Sequence, residues 1–363
     1  MTPEELQGFR DKIDAIDDEL IQLFAKRARY VQEVGRRKHL VGAPVFRPER
    51  EVAIIERMVA ANPGPLSSQS IATIWLEIIS GCRALEREMR ISYLGPAGTY
   101  SEQAVRILFG HRVQMVPCST LDEAIREAEA GSVDCALLPV ENSTEGTVGR
   151  TLDILLHTPL KISAEMSMPI HHSLLQKEGK REAIKTVAAH SQALAQCQRW
   201  LDENMPGVAR MPMASNGHAA ELASRDSSVA AIASQLAAQH YGLQSVAERI
   251  EDDPNNRTRF VAVGDFTPDD CGVDQTSLIL SVPDKAGAML SLIEPLARHG
   301  VSMKRFESRP ARSGAWEYYF YMDLVGHRKD SKVALALAEI KERAAFFKDL
   351  GSYPLFDRLT EKV

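Results

Sequence analysis

The stretch Asn256-Arg257-Thr258-Arg259-Phe260 sets a hydroxyl, a fixed cation and an aromatic ring side by side, where a polar segment runs into the strand-like Phe260-Val261-Ala262-Val263. Such a trio at the mouth of a strand suits a small anionic substrate that must lose a group. Taken alone, the tripeptide is more simply an edge turn with a solvated arginine. A second set of chemical residues stands where apolar ones belong. Phe9, Ile13, Ile16, Leu20 and Leu23 recur at steps of three and four, one stripe of a helix, and the same steps continue to Arg27, Tyr30, Val34 and Lys38. Glu51 faces inward beside Ile55 and Met58 on a second helix opening at Pro48, and Glu86 stacks one turn beyond Cys82 on a third that opens at Ser67 or Ser68. Buried charges are costly unless paired or liganded, so these residues require either an ion-pair network or a polar pocket. Four of them, with Arg10 flanking the stripe, favour a pocket for a small anion.

The elements that must position these groups fall into three blocks. A helix from about Thr2 to Leu40 cannot bury its whole stripe against two shorter ones, which points to an intertwined dimer. From residue 91 the rhythm changes to short apolar runs alternating with amphipathic helices: Ile91–Leu94, Val113–Val116, Cys135–Val140, Thr186–Ala189, Val229–Ala233 and Phe260–Val263. That is an α/β pattern. The strand-to-helix turn Gly95-Pro96-Ala97-Gly98-Thr99-Tyr100-Ser101 offers backbone N–H groups, glycines and hydroxyls suited to a carboxylate, and Glu141-Asn142-Ser143-Thr144-Glu145 crowds polar groups at a strand end, where open sheets bind ligands. Each could equally be a capped turn. The tail, with strand Thr276–Val282, a helix after Ala286-Gly287-Ala288-Met289-Leu290, strands Val301–Arg309 and Trp316–Leu324, a helix from about Lys332 to Arg343 and a final strand, reads as βαββαβ.

Composition bounds the function. The 363 residues are enough for two or three domains, and a formal charge of −6 argues against a general nucleic-acid binder. Five cysteines without a Cys-x-x-Cys suggest neither zinc nor disulfides, but reduced thiols of a cytoplasmic protein. Met1-Thr2-Pro3-Glu4-Glu5 lacks the basic and apolar regions of a signal peptide, and no apolar run is long enough for a membrane span. His171-His172 has no third ligand at metal spacing and is expected at a strand surface, so no metal or cofactor is expected.

Phe9-Arg10-Asp11-Lys12-Ile13-Asp14, Lys26-Arg27, Glu33-Val34-Gly35-Arg36-Arg37-Lys38 and Pro48-Glu49-Arg50-Glu51 resemble the all-helical chorismate mutases. The resemblance implies a domain-entwined dimer with sites built from both chains. Arg10 and Arg27 would hold the carboxylates of chorismate, Lys38 would contact its ether oxygen and Glu51 its ring hydroxyl, with Arg47, Cys82 and Glu86 alongside. Where this chain has Cys82 and Glu86, some relatives have Ser and Gln. A carboxyl beside the ether oxygen donates only when protonated, so mutase efficiency should fall as Glu86 ionises. The polar loops of the middle block, together with Ala189-His190-Ser191-Gln192 and Tyr241-Gly242-Leu243, are similar to prephenate dehydratases. That implies two lobes like a periplasmic binding protein, with Thr258 as the essential hydroxyl, Arg259 pairing with a prephenate carboxylate, and Thr99, Glu141, Asn142, Ser143, Asn256 and Phe260 around the cleft. Gly287-Ala288-Met289-Leu290 and Glu307-Ser308-Arg309-Pro310 look like the two ligand motifs of ACT domains, which bind phenylalanine between paired domains.

The chain is therefore expected to hold a mutase block at 1–90, a dehydratase block at 91–266 and a regulatory block at 275–355. It would rearrange chorismate, dehydrate prephenate to phenylpyruvate under phenylalanine feedback, and work as a homodimer or higher oligomer. The alternatives are a dehydratase that accepts arogenate, and an amino-acid sensor of the same architecture without chemistry.

Overall fold

The structure is a computed structural model that describes residues 2–283, 285–310 and 318–356. Helix α1 (Pro3–Leu40) opens on a capping box in which the Thr2 hydroxyl accepts from the Glu5 N–H and the Glu5 carboxylate accepts from the Thr2 N–H. A helix of that length spans roughly 57 Å at about 1.5 Å per residue, and none of its residues is buried. The shorter α2 (Pro48–Ala60) and α3 (Ser68–Ala84, capped by Ser67) bury Val52, Ile55, Leu76 and Ile79. These side chains share one core with Met89, Leu108 and Phe109, so α2 and α3 are packed directly onto the α/β block.

That block opens as β1 (Met89–Leu94), α4 (Tyr100–Phe109), β2 (Val113–Cys118), α5 (Leu121–Glu129), β3 (Cys135–Asn142), β4 (Gly146–Thr147), α6 (Gly149–His157) and β5 (Lys161–Pro169). The chain then crosses to a second sheet through β6 (Ser173–Gln176), β7 (Thr186–His190), α7 (Ser191–Gln196), α8 (Gln198–Asn204), β8 (Ala209–Met213), α9 (Asn216–Arg225), β9 (Val229–Ala233), α10 (Gln235–Tyr241) and β10 (Gln244–Ala247). It returns to the first sheet as β11 (Arg257–Gly264). The first sheet runs β2-β1-β3-β11-β5 with β4 on β3, and the second runs β10-β6-β9-β7-β8. Residues 170–172 and 248–256 are thus the two crossovers between two lobes, a hinge beneath a cleft. The strands β4, β5, β6, β8 and β10 were not expected from the sequence. They lack a long apolar run, and β8 is almost wholly exposed.

The C-terminal unit comprises β12 (Asp274–Ser281), α11 (Ala288–His299), β13 (Met303–Pro310), β14 (Tyr318–Val325), α12 (Ser331–Arg343) and β15 (Phe346–Pro354). The order β13-β14-β12-β15 is antiparallel throughout and realises the βαββαβ expectation; the expected strand start at Trp316 lies outside the described residues. Alternation along β12 sends Leu278 and Leu280 towards α11 and α12 and sends Ile279 the other way. There Ile279, Tyr321, Leu350 and Tyr353 join Leu152, Leu155 and Ile162 of the first lobe in one core. Among the described residues, no helix is long and apolar enough to cross a membrane.

Candidate active sites

Between the lobes lies a cavity of about 250 Å³ lined by Thr99 and Ser101 from the start of α4, Asn142 from β3, Thr258 and Phe260 from β11, His172 from the hinge, and His190, Gln192, Gln196, Ser215 and Asn216 from the second lobe. Two glycines let the lobes approach. A side chain at Gly217 would meet Pro96 at 2.8 Å, and Gly98, at φ +81°, is hemmed in by Ala237 and Tyr241. The turn 95–101 is held by Ser234, whose hydroxyl donates to the Gly98 carbonyl at 3.2 Å, and by Tyr241, which donates to the Ala97 carbonyl at 3.1 Å. Thr99 caps α4, and the Gly98 N–H is already taken by Glu102 at 2.7 Å.

A directed hydrogen-bond chain runs through the cleft floor. The Asn142 side-chain oxygen accepts from the backbone N–H groups of Thr144 (3.1 Å) and Glu145 (3.2 Å), which fixes which end of the amide is nitrogen. That nitrogen donates to Thr258 Oγ1 (2.9 Å) and to Asn256 Oδ1 (2.8 Å). Asn256 then donates to Gln196 Oε1 at 3.1 Å, and the same oxygen lies 2.9 Å from His172 Nε2, which must therefore carry a proton. Nδ1 of His172 is left as an acceptor 2.8 Å from the Tyr100 hydroxyl, whose single hydrogen it shares with the His171 carbonyl, also at 2.8 Å. The consequence lies at the other end: Thr258 accepts from Asn142, and among the described residues none takes the hydroxyl hydrogen, which is left to donate. His172 is buried, not at a strand surface as expected from sequence, and burial lowers its pKa below the ordinary value despite Gln196 and Glu251 nearby. Glu251 holds the hinge, accepting from the His172 N–H at 2.8 Å and meeting His171 Nδ1 at 2.7 Å.

Several residues expected to line this cleft stand elsewhere. Arg259 is not in it; the guanidinium turns to the opposite face of the sheet and pairs with Glu165 (2.7 Å), Glu141 (2.8 Å) and Asp323 (2.9 Å). Burial works against that charge, but Glu165 and Asp323 outweigh it and hold the pKa above its usual value. The reason is the two-residue period of a strand, which sends neighbours to opposite faces. Glu141 follows Arg259 to that face, Ser143 is exposed with its oxygen accepting from the Arg257 N–H at 2.9 Å, and Asn256 is buried behind Asn142. Among the described residues that line the cleft, none is arginine or lysine. Gln196, Ser215 and the hinge His172 were missed as site residues; a polar residue on a short helix carries no sequence signal of its own.

In the helical unit, Arg27, Lys38, Arg47, Arg50, Glu51, Cys82 and Glu86 line one cavity. Lys38 Nζ sits 3.3 Å from Glu86 Oε2 and 3.4 Å from the Val45 carbonyl. Gly35 of α1 makes room for that carboxylate, since a Cβ there would fall 2.7 Å from Glu86 Cγ. Arg27 lies over the Trp75 ring at 5.8 Å, and its buried Nη1 has no hydrogen-bond partner among the described residues. Glu51 is inward, as expected, but held by Arg83, which sequence reading missed, at 2.7 and 2.9 Å. Burial raises the Glu51 pKa although Arg83 opposes it. Arg83 also donates to the Phe109 carbonyl, tying this site to α4. Arg47 is drawn towards Glu49 and Asp269, the latter at 2.9 Å, and Arg50, also missed, faces the cavity. Arg10 is exposed on the first half of α1 and lines none of these cavities.

Of the tail motifs, Gly287 adopts φ +80° as the N-cap of α11, Ala288 is buried, Met289 is partly buried and Leu290 is exposed. Glu307, Ser308, Arg309 and Pro310 lie on β13 at the edge of the sheet, with Arg309 turned to Asp153 of α6 at 3.4 Å.

Comparison with known proteins agrees with this division. The chain matches the family descriptions of prephenate dehydratase over residues 91–267, chorismate mutase type II over 9–87 and the ACT domain over 276–342. It is 47% identical over 354 residues to a bifunctional chorismate mutase/prephenate dehydratase of Neisseria gonorrhoeae, covering 97% of each chain. To the protein of that description from Pseudomonas aeruginosa it is 41% identical, covering 97% of this chain and 98% of the other. The crystal structure of a prephenate dehydratase from Arthrobacter aurescens in complex with L-Phe superposes with a TM-score of 0.69 at 35% identity, covering 76% of this chain and 92% of that one.

Proposed function

This chain belongs to the bifunctional chorismate mutase/prephenate dehydratases, and we propose that each of its two reactions is served by one of the two cavities. In the helical cavity, chorismate needs no nucleophile or base, only a compact conformer and donors where charge grows on the breaking C–O bond. Arg27, with its unpartnered Nη1, and Arg50 take carboxylates, Lys38 and Glu86 face the ether oxygen, and Glu51 takes the ring hydroxyl. Arg10 lies too far along α1 to reach this cavity, and the stripe Phe9, Ile13, Ile16 and Leu20 is exposed. A second copy of the chain would cover that stripe and bring Arg10 to the site, so the working form is a homodimer.

In the interlobe cleft, prephenate loses its ring carboxylate as carbon dioxide. The electron pair released aromatises the ring and expels the ring hydroxyl. The observation that carries the assignment is the free Thr258 hydrogen, which donates to the departing oxygen. With no arginine or lysine among the described lining residues, the carboxylates bind at the N-termini of α4 and α9, where Thr99, Ser101, Ser215 and Asn216 cluster. Phenylalanine binds the C-terminal unit through residues 287–290 and 307–310 and lowers dehydratase turnover. The test is direct: supply chorismate, follow prephenate and phenylpyruvate by absorbance, and repeat with Thr258→Val. Loss of phenylpyruvate alone supports the division, whereas an equal loss of both products overturns it.

A further inference from the structure

Thr258 and Arg259 are consecutive on β11, so one enters the cleft while the other enters the seam with the C-terminal sheet. In that seam the Arg259 guanidinium takes both oxygens of Glu165 on β5 (3.0 and 2.7 Å), Glu141 on β3 (2.8 Å) and Asp323 on β14 (2.9 Å). The other Asp323 oxygen accepts from Ser277 of β12 at 2.6 Å, and Tyr353 of β15 reaches Ser277 at 2.5 Å and Glu165 at 3.3 Å. Arg305 of β13 forms an ion pair with Glu141 at 3.3 Å and donates to the Thr147 hydroxyl oxygen at 2.9 Å. Every strand of the C-terminal sheet therefore contributes a side chain to this cluster. Glu141 directly precedes Asn142, as Arg259 directly follows Thr258, and the 307–310 motif begins two residues beyond Arg305 on the same strand.

We infer that Arg259 is a positioning residue and not a substrate ligand, and that the contacts Arg259–Asp323 and Glu141–Arg305 carry the effector signal from the C-terminal sheet to Thr258. The inference rests on the reading that phenylalanine binds the tail. Four of the five N–H donors of Arg259 are committed to carboxylates, so it cannot serve an anion in the cleft without abandoning the seam. An effector that displaces β13 alters the hold of Arg305 on Glu141, and with it the angle at which Asn142 meets Thr258. Motion of β14 acts on Thr258 from the other side, through Arg259. The signal crosses as a change of geometry at two adjacent residue pairs, with no need for the effector to approach the cleft.

The test uses Asp323→Asn in the full chain. It keeps the shape and the bond from Ser277, and Glu165 and Glu141 still hold Arg259. Turnover without effector stays within about twofold of wild type, phenylalanine still binds by calorimetry, and the inhibition it produces weakens by roughly fivefold or more, the lower end of a typical coupling. Undiminished inhibition in a variant that binds phenylalanine overturns the coupling. If wild type binds no phenylalanine, the reading of the tail falls instead, and a second arm still decides the role of Arg259. In Arg259→Gln, kcat falls at a KM within about twofold of wild type if the residue positions Thr258, whereas a KM raised roughly tenfold at unchanged kcat returns Arg259 to the substrate.

Discussion

Asn142→Asp should stop prephenate dehydration while leaving the chorismate rearrangement intact. One carboxylate oxygen of the substituted residue can still accept from the Thr144 and Glu145 N–H groups, as the amide oxygen does now at 3.1 and 3.2 Å. The other oxygen then replaces a donor 2.9 Å from Thr258 Oγ1, and a carboxylate can only accept. Thr258 must turn its hydrogen to that oxygen, so the cleft loses the donor that faces the departing hydroxide. Removing one preorganised donor from a developing oxyanion costs about 2.7–4 kcal/mol, or about 10²–10³ in kcat. Asn142→Ala differs: Thr258 keeps its hydrogen and loses only a neutral bond worth about 0.5–1.5 kcal/mol, roughly a 2–13-fold effect. Thr258→Val should match Asn142→Asp, and the double variant should be no slower than either single one, because both remove the same hydrogen. Phenylpyruvate absorbance gives the rates, with chorismate consumption as the internal control for folding. If Asn142→Asp loses no more than Asn142→Ala, or its loss adds fully to that of Thr258→Val, the directed chain is not what activates Thr258.

Arg27→Ala should cost the mutase at least about a hundredfold, through the lost carboxylate donor, and leave dehydratase turnover unchanged in the same preparation. Arg83→Met should destabilise the chain by about 3–5 kcal/mol in urea unfolding, since it strands the buried Glu51 carboxylate, and adding Glu51→Gln should recover part of that loss. Burial depresses the His172 pKa below its usual 6.5, so its contribution to stability is full above that value and is lost as pH falls through the depressed folded value. The urea midpoint should therefore drop between about pH 7 and pH 5, and less so in His172→Gln. Placing Glu at Ile16, exposed on α1, should yield monomers by light scattering that lose mutase turnover and retain dehydratase turnover.

Much of this protein was legible in the chain itself. The three-and-four spacing that ends in Arg27 and Lys38, the α/β alternation after residue 91 and the βαββαβ tail follow from side-chain periodicity, a local property, and each appears in the folded chain. So does the inward placement of Lys38 and Glu51, because helical phase decides which residues share a face, whereas Glu86 reaches the same cavity from the turn after α3, which ends at Ala84 and not, as expected, beyond Glu86. What local periodicity does not carry is the identity of the partner across a gap in sequence. Arg83 meets Glu51 from another helix, and Gln196 meets Asn256 from another lobe; neither pairing has a spacing to read. Arg259 is the clearest case. Its type and its place beside Thr258 suit a substrate anion equally well from sequence, but the strand's twofold alternation turns it away, and three carboxylates from β3, β5 and β14 are waiting on the other face. The sequence by itself determined which side chains alternate and which share a stripe. Only the tertiary structure decided which face of β11 became the cleft, because that depends on where the second lobe and the C-terminal sheet bury their own apolar surfaces.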